Sequence, residues 1–358
     1  MKIGIYSDCH FCKSSSILVG SSSNKYSMRL DFLIKSFKWM YDLFEKNEVY
    51  NIFNLGDLIS SDVLDAETNS ALSEALRYSK GTQEYWLIGN HEKKSRDSKF
   101  HSLSLIKQYP NIKIIDDFEI IDLGSLKVLM KSFTSSEHSL EEFQNECKLV
   151  QDSSIVMTHQ VYKDMVPGMV GYDLDYKEIT KNKNILNIFN GHIHSARNED
   201  RYCQVGSISG MSFGDDYSQF LPGVVIYDCD TNTYERYINP YATLFYTLDN
   251  IDSIDKFIKE LTALPELHKL LRIRIPISFR ESFSNYLNEN SKILDNCKVL
   301  SYRLKLINDN IDNTGEFEIE SKIQNCSVID SLKDFTNKSD TPYSKEDMIG
   351  FINEFLSI

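Results

Sequence analysis

Apolar residues gather along the chain in short runs that end in polar clusters, separated by stretches long enough for helices. Seven runs are rich in Ile, Val, Leu, Phe and Tyr: Lys2–Tyr6, Asn51–Leu55, Glu84–Ile88, Lys127–Lys131, Ser154–Met157, Ile185–Phe189 and Gly223–Tyr227. β-Branched and aromatic side chains suit a pleated, half-buried surface, so these runs predict strands. Between the first two, Leu30, Leu33, Ile34, Phe37, Met40, Tyr41 and Phe44 recur at helical spacing. A helix from Ser27 to Lys46, capped by Ser27, is expected there, with its stripe facing a core. This alternation, continuing to about Pro240, predicts a layered α/β domain over residues 1–240.

From about Tyr241 the pattern changes. Thr243–Leu248, Leu270–Ile275 and Val299–Ile307 read as strands, and Ser253–Leu264 and Phe279–Leu294 as helices. They outline a small α/β unit over residues 241–325. The remaining residues, 326–358, carry two capping-box signatures, Ser327-x-x-Asp330 and Ser344-x-x-Asp347. The second precedes Met348, Phe351, Ile352 and Phe355, an apolar face on a terminal helix that fits packing on its own domain or binding a partner helix equally well.

The 358 residues, 41% hydrophobic and 25% charged, are enough for a large domain with a smaller appendage. No apolar run reaches the roughly 18–20 residues that span a bilayer, so no membrane association is expected. The seven cysteines show no disulfide framework and the N-terminus runs straight into a strand, which together suggest a reducing cytoplasm. Cys9 and Cys12 are spaced as Cys-x-x-Cys, but no second pair accompanies them, and Cys9 is expected to point into the core. The net charge of -13 speaks against a stand-alone binder of polyanions, although bound divalent ions would reverse the local sign.

The chemistry sits at the ends of the runs. Asp8-Cys9-His10 follows the first, Gly56-Asp57 the second, Gly89-Asn90-His91-Glu92 the third, Thr158-His159 the fifth and Gly191-His192-Ile193-His194 the sixth. Each fragment alone is more often a cap or turn than a ligand set. Together they hold five of the eight histidines, leaving His101, His138 and His268 as ordinary residues. Carboxylate, amide and imidazole donors converging from several strand ends suit a pair of divalent ions, manganese foremost, with iron or zinc also compatible.

The ordered set D-x-H, G-D, G-N-H-[DE], H, G-H-x-H resembles the calcineurin-like metallophosphoesterase superfamily. That resemblance implies a four-layer α/β/β/α sandwich with a small α/β capping domain and C-terminal helices. It implies that Asp8, His10, Asp57 and His194 hold one metal and that Asp57, Asn90, His159 and His192 hold the other. His91 would then stabilise charge on the phosphate or protonate the leaving oxygen.

Within the superfamily the chain is similar to the SbcD-type (Mre-type) DNA repair and recombination nuclease subunits, including the small subunit of the T-even phage recombination nuclease. Gln204-Val205-Gly206-Ser207 stands where those subunits carry Gln-Pro-Gly-Ser, and Arg272-Ile273-Arg274-Ile275-Pro276 is like their cap strand. The resemblance implies a Mn-dependent double-strand exonuclease and single-strand endonuclease. Its partners would be DNA and an SbcC-type coiled-coil ATPase docked by the terminal helices, as a homodimer within a heterotetramer. The chain departs from the pattern at Ser60, where relatives often carry a catalytic histidine. Lys93, Lys94, Arg96 and Lys99 are candidate phosphate contacts, with a solvated loop as the equal alternative. Other readings stay open: a small-molecule phosphodiesterase or protein phosphatase, or a non-catalytic scaffold.

Overall fold

The structure, a computed structural model, describes residues 1–13, 25–95, 98–163, 174–290, 292–307 and 317–323. Arg96 and the terminal face of Met348, Phe351, Ile352 and Phe355 lie outside the described residues. The chain divides into two compact units: Met1–Lys13 with Arg29–Phe245, and Ser14–Met28 with Tyr246–Ile358.

The larger unit begins with β1 (Lys2–Tyr6), α1 (Met28–Lys46), β2 (Asn51–Asn54), α2 (Ala66–Leu76), β3 (Gln83–Leu87) and β4 (Ile112–Ile115). It continues through β5 (Phe118–Asp122), β6 (Lys127–Lys131), α3 (Glu137–Leu149), β7 (Ser154–Thr158), α4 (Tyr176–Ile179) and β8 (Ile185–Asn190). The strands β9 (Arg197–Glu199), β10 (Tyr202–Gln204), β11 (Gly223–Asp228) and β12 (Thr233–Ile238) complete it. Two six-stranded sheets result, ordered β12-β11-β1-β2-β3-β4 and β5-β6-β7-β8-β10-β9.

The sheets face each other across one apolar core. Ile3, Ile5, Phe53, Leu55, Leu87 and Val225 of the first meet Val128, Met130, Ile155, Met157 and Phe189 of the second, all fully buried. The outer face of the second sheet packs Leu129, Val156 and Ile188 against Leu140 and Phe143 of α3 and Ile179 of α4. On the first sheet, α1 buries the expected stripe, and Phe37 meets Tyr6 edge-on at 5.6 Å. Helix, sheet, sheet, helix is the four-layer sandwich.

Strands β1, β2 and β3 run parallel, as do β6, β7 and β8. Parallel strands deliver their carboxyl ends to one edge, which is where crevices open in α/β sheets. Every ligand motif follows such an end.

The smaller unit carries a four-stranded sheet, β13 (Thr243–Leu248), β14 (His268–Pro276), β15 (Val299–Ile307) and β16 (Phe317–Ile323), with α5 (Ile254–Ala263), α6 (Arg280–Glu289) and α7 (Lys292–Asn296). One helix was expected over Phe279–Leu294. The chain instead leaves helical geometry at Asn290 (φ -120, ψ 36) and restarts at Lys292. Leu271, Ile273, Ile275, Leu304 and Leu306 turn one sheet face onto Phe257, Phe283 and Leu287 of the helices. The alternate positions turn the other way, with Arg272 opposite Arg303 and Arg274 opposite Lys305 across the parallel β14–β15 ladder.

Candidate metal centre

The loops after the strands are stitched together by backbone hydrogen bonds. Asp8 and His10 donate their N–H groups to the carbonyls of Gly56 (3.1 Å) and Asp57 (3.0 Å), and Gly191 N–H donates to Thr158 (2.9 Å). His159 then joins the two sheets: its Nδ1 donates to the Leu55 carbonyl at 2.6 Å, which leaves Nε2 facing inward. Four of the motif residues, Asp8, His10, Asp57 and His192, hold φ between 49° and 72°. Non-glycine residues rarely adopt this left-handed geometry, and it concentrates at functional sites.

The donor atoms converge into three overlapping groups, Asp8/His10/His194, His10/Asp57/His91 and Asp57/His159/His192, each with its ligand atoms within 4.8 Å of one another. Asp57 Oδ2 lies 3.3 Å from His159 Nε2, 3.7 Å from His10 Nε2 and 3.9 Å from His91 Nε2. Asn90 Oδ1 is 2.8 Å from His192 Nδ1 and 3.2 Å from His159 Nε2. His10 and His194 bring their Nε2 atoms to 3.1 Å. All eight residues of the motif set therefore meet in one cluster.

Asp8, His10, Asp57 and His159 are buried, while His91 is exposed at the open side. Burial opposes ionisation of Asp57, but His159, His10 and His91 outweigh it and hold the carboxyl well below its ordinary value. Burial works against a charged His159 too, yet Asp57 raises it to about 9. His192, half-buried and beside His159, is pushed down to about 3 by desolvation and by the His159 charge. Asp8 Oδ1 is buried with no hydrogen-bond partner among the described residues. An uncompensated carboxylate oxygen, imidazole nitrogens and an amide oxygen, without thiolate, form a donor set that fits divalent cations.

Several residues that position this cluster were not singled out by the motifs. Glu92 is fully buried and accepts from the N–H groups of Asp57 (3.1 Å), Gly89 (2.7 Å) and Ile59 (3.0 Å), so it staples two ligand loops. Burial, with Asp57 nearby, pushes its carboxyl up to about 8. Gln204 donates to the carbonyls of Asn190 (3.0 Å), Gly191 (2.6 Å) and Ile193 (3.2 Å), which is what the glutamine of Gln204-Val205-Gly206-Ser207 does for Gly191-His192-Ile193-His194. Asn190 accepts from Thr158 Oγ1 (2.7 Å) and Gln160 N–H (3.1 Å), tying the His159 loop to the same place. Arg29, buried, spans from the His10 carbonyl to the Gly210 carbonyl, each at 3.4 Å. Glu92 and Gln204 lay inside quoted motifs; Arg29 and Asn190 carried no sequence signal.

Among the other candidates, Lys93 donates to the Phe133 carbonyl at 2.6 Å, and Lys94 and Lys99 are exposed. Cys9 is buried, Cys12 is half-buried, and no disulfide joins them. His101 faces Asp116 at 3.3 Å and His138 faces Glu142 one helical turn away, both apart from the cluster.

A four-layer sandwich whose strand ends gather carboxylate, amide and imidazole donors defines a metal-dependent phosphoesterase. The chain belongs to the calcineurin-like phosphoesterase family, whose model matches residues 1–196. No curated protein matches it. Similar solved structures include a dimetal phosphatase from Danio rerio (10% identity, TM-score 0.39, covering 56% of this chain and 85% of that one). Others are TT1561 of Thermus thermophilus (10%, 0.42, 66% and 98%) and the calcineurin-like phosphoesterase YfkN from Bacillus subtilis (14%, 0.35, 66% and 88%). No helix among the described residues is long and apolar enough to cross a membrane.

Proposed function

We propose that this chain is an SbcD-type DNA nuclease subunit that hydrolyses phosphodiester bonds with two divalent ions, manganese by preference, alongside an SbcC-type ATPase. In this reading Asp8, His10, Asp57 and His194 hold one ion, and Asp57, Asn90, His159 and His192 hold the other. The observation that carries it is Asp57 Oδ2, within 3.3 Å of His159 and 3.7 Å of His10, so that one carboxylate serves both halves of the cluster. When bound, the cations supply Lewis acidity toward the phosphoryl oxygens and a nucleophile from water at neutral pH.

The chain's own groups do the remaining work. Glu92 and Gln204 hold the ligand loops rigid, and rigid donors lose no energy to reorganisation as charge develops. His91 stands exposed with Nδ1 3.4 Å from the Ser60 carbonyl. From there it donates a proton to the leaving oxygen or stabilises charge on the phosphate. Ser60 cannot hold a proton relay at neutral pH, so His91 acts without a second imidazole at that position.

DNA as substrate is supported by the side-by-side Arg272 and Arg303 of the smaller unit, in a chain of net charge -13; Arg274, one step along, is already engaged by Asp249 at 3.0 Å. Exposed Lys94 and Lys99 offer further phosphate contacts. Docking of the ATPase is assigned to residues 326–358 through Met348, Phe351, Ile352 and Phe355, and the assembly to a homodimer within a heterotetramer. The acidic total favours one rival, a small-molecule phosphodiesterase or protein phosphatase. The test is turnover of linear duplex DNA by the full chain with Mn²⁺, alone and with the ATPase, against bis-p-nitrophenyl phosphate, cyclic nucleotides and phosphopeptides. DNA cleavage is expected; strong preference for a small substrate or a phosphopeptide overturns the nuclease reading.

A further inference from the structure

Asp215 lies on the loop after Gly210, outside every motif, and reaches the far side of His194. Its Oδ1 is 3.5 Å from His194 Nδ1, while the ring's other nitrogen points into the Asp8/His10/His194 group. The Asp215 side chain is 4% exposed, and both its oxygens are held. Oδ2 accepts the N–H groups of Met211 (2.6 Å) and Ser212 (3.1 Å) and the Tyr217 hydroxyl (3.3 Å). Oδ1 accepts the Ser212 hydroxyl (3.1 Å). The loop is anchored on both sides: Asp216 N–H donates to Ser195 Oγ (2.8 Å), next to His194, and Gly210 N–H donates to the Thr243 carbonyl (2.9 Å). Arg29 links the Gly210 carbonyl to that of His10.

A carboxylate only accepts, so a ring nitrogen facing it must carry the proton. The proton then leaves Nε2 with its lone pair directed at the metal site, and the facing charge makes that nitrogen a better donor. We propose that Asp215 is a positioning residue that fixes the tautomer of His194 and thereby readies its Nε2 for a divalent ion. This rests on the reading of His194 as a metal ligand.

Asp215 could instead be only a staple for its loop, and Asp215→Asn separates the two roles. The backbone N–H groups of Met211 and Ser212 require an acceptor, so the amide oxygen takes the Oδ2 position and the NH₂ faces His194 Nδ1. The loop keeps its main hydrogen bonds while the ring is driven to carry its proton on Nε2. Long-range ¹H–¹⁵N spectra of the metal-free full chain, labelled at histidine, read the tautomer directly. Wild type should show His194 protonated at Nδ1 and D215N at Nε2. Calorimetry should give an Mn²⁺ affinity about 10–100-fold weaker in D215N at one of the two sites. Ser212→Ala, which removes a staple and leaves the carboxylate, should retain both the tautomer and the affinity.

A wild-type spectrum with the proton on Nε2 overturns the proposal whatever the variants do, and so does an equal loss of affinity in S212A. If the wild type binds no Mn²⁺, the ligand reading falls, while the spectrum still decides whether Asp215 sets the tautomer.

Discussion

A Cβ on Gly56 would stand 2.6 Å from His159 Nδ1, one on Gly191 2.6 Å from the Leu55 carbonyl oxygen, and one on Gly89 2.5 Å from Asp57 N, with Asp57 Oδ1 nearer still. Each glycine belongs to one ligand motif and each intruding atom to another motif or to the strand end that carries it, so the glycines are there because the motifs are pressed together. Gly56 has the further constraint of φ +97. Gly89→Ala should therefore displace Asp57. Displacement by about 1 Å can cost 100-fold in rate, so hydrolysis of bis-p-nitrophenyl phosphate should fall at least that far. Metal content should fall with it; G89A protein with full metal and full activity would show that Asp57 is not held this tightly. His91→Gln is the opposite case. His91 is exposed and its loop is fixed by its own N–H donating to Asp57 Oδ1 at 3.0 Å, a bond the variant retains. Cleavage should drop about 10²–10⁴-fold, the usual worth of a general acid, with metal content unchanged. Loss of metal in H91Q would assign His91 to the ligand set instead.

Among the elements, Glu84 makes the junction between β3 and α1. Its carboxylate, fully buried, accepts from Tyr41 Oη (2.9 Å), Trp86 Nε1 (2.9 Å), Thr82 Oγ1 (3.4 Å) and Ser79 Oγ. Burial raises its pKa above the ordinary carboxylate range, more than the hydroxyl and indole donors lower it. A carboxyl whose folded pKa exceeds its unfolded one binds more protons when folded between the two values. Its contribution to stability is therefore fully present below the unfolded pKa and lost as pH rises through the folded one. Glu84→Gln removes this dependence. The amide oxygen can accept from the indole, and the hydroxyls can reverse to accept from the NH₂. The melting temperature of wild type minus that of E84Q should fall as pH rises from 5 to 8, measured by calorimetry; a difference that stays constant or grows would refute the raised pKa. The strands that the apolar runs predict, such as Lys2–Tyr6 and Ile185–Phe189, are central in their sheets. In the two large sheets those the runs do not reveal are β4, β5, β9 and β12, the four outer strands, and three-residue β10 beside one of them; in the small sheet it is the outer strand β16. Edge strands are half solvated and need no apolar run, and Arg197-Asn198-Glu199 has none. The same logic governs the site. Its motif residues were legible because glycine, aspartate and histidine at strand ends form an ordered set. Asp215 and Arg29 act through a loop whose approach to His194 and His10 depends on tertiary folding, which no local spacing records.

At the scale of the whole molecule, the proposed nuclease function has to reconcile a charge of -13 with a polyanionic substrate. Exposed charges farther apart than a Debye length of roughly 8 Å are largely screened at physiological salt, so a basic patch can act within an acidic protein. On β14 and β15 Arg272 faces Arg303 in register across the parallel ladder, which sets two guanidinium groups side by side on one face. The double variant R272Q/R303Q removes both cations. If each arginine neutralises one phosphate, the dependence of log K on log salt should lose roughly 0.9 per cation, or about 1.8 in total. The measurement is duplex DNA binding across a salt series, made in an H91Q background so that the probe survives. An unchanged slope with unchanged affinity would remove this face from the proposed DNA path.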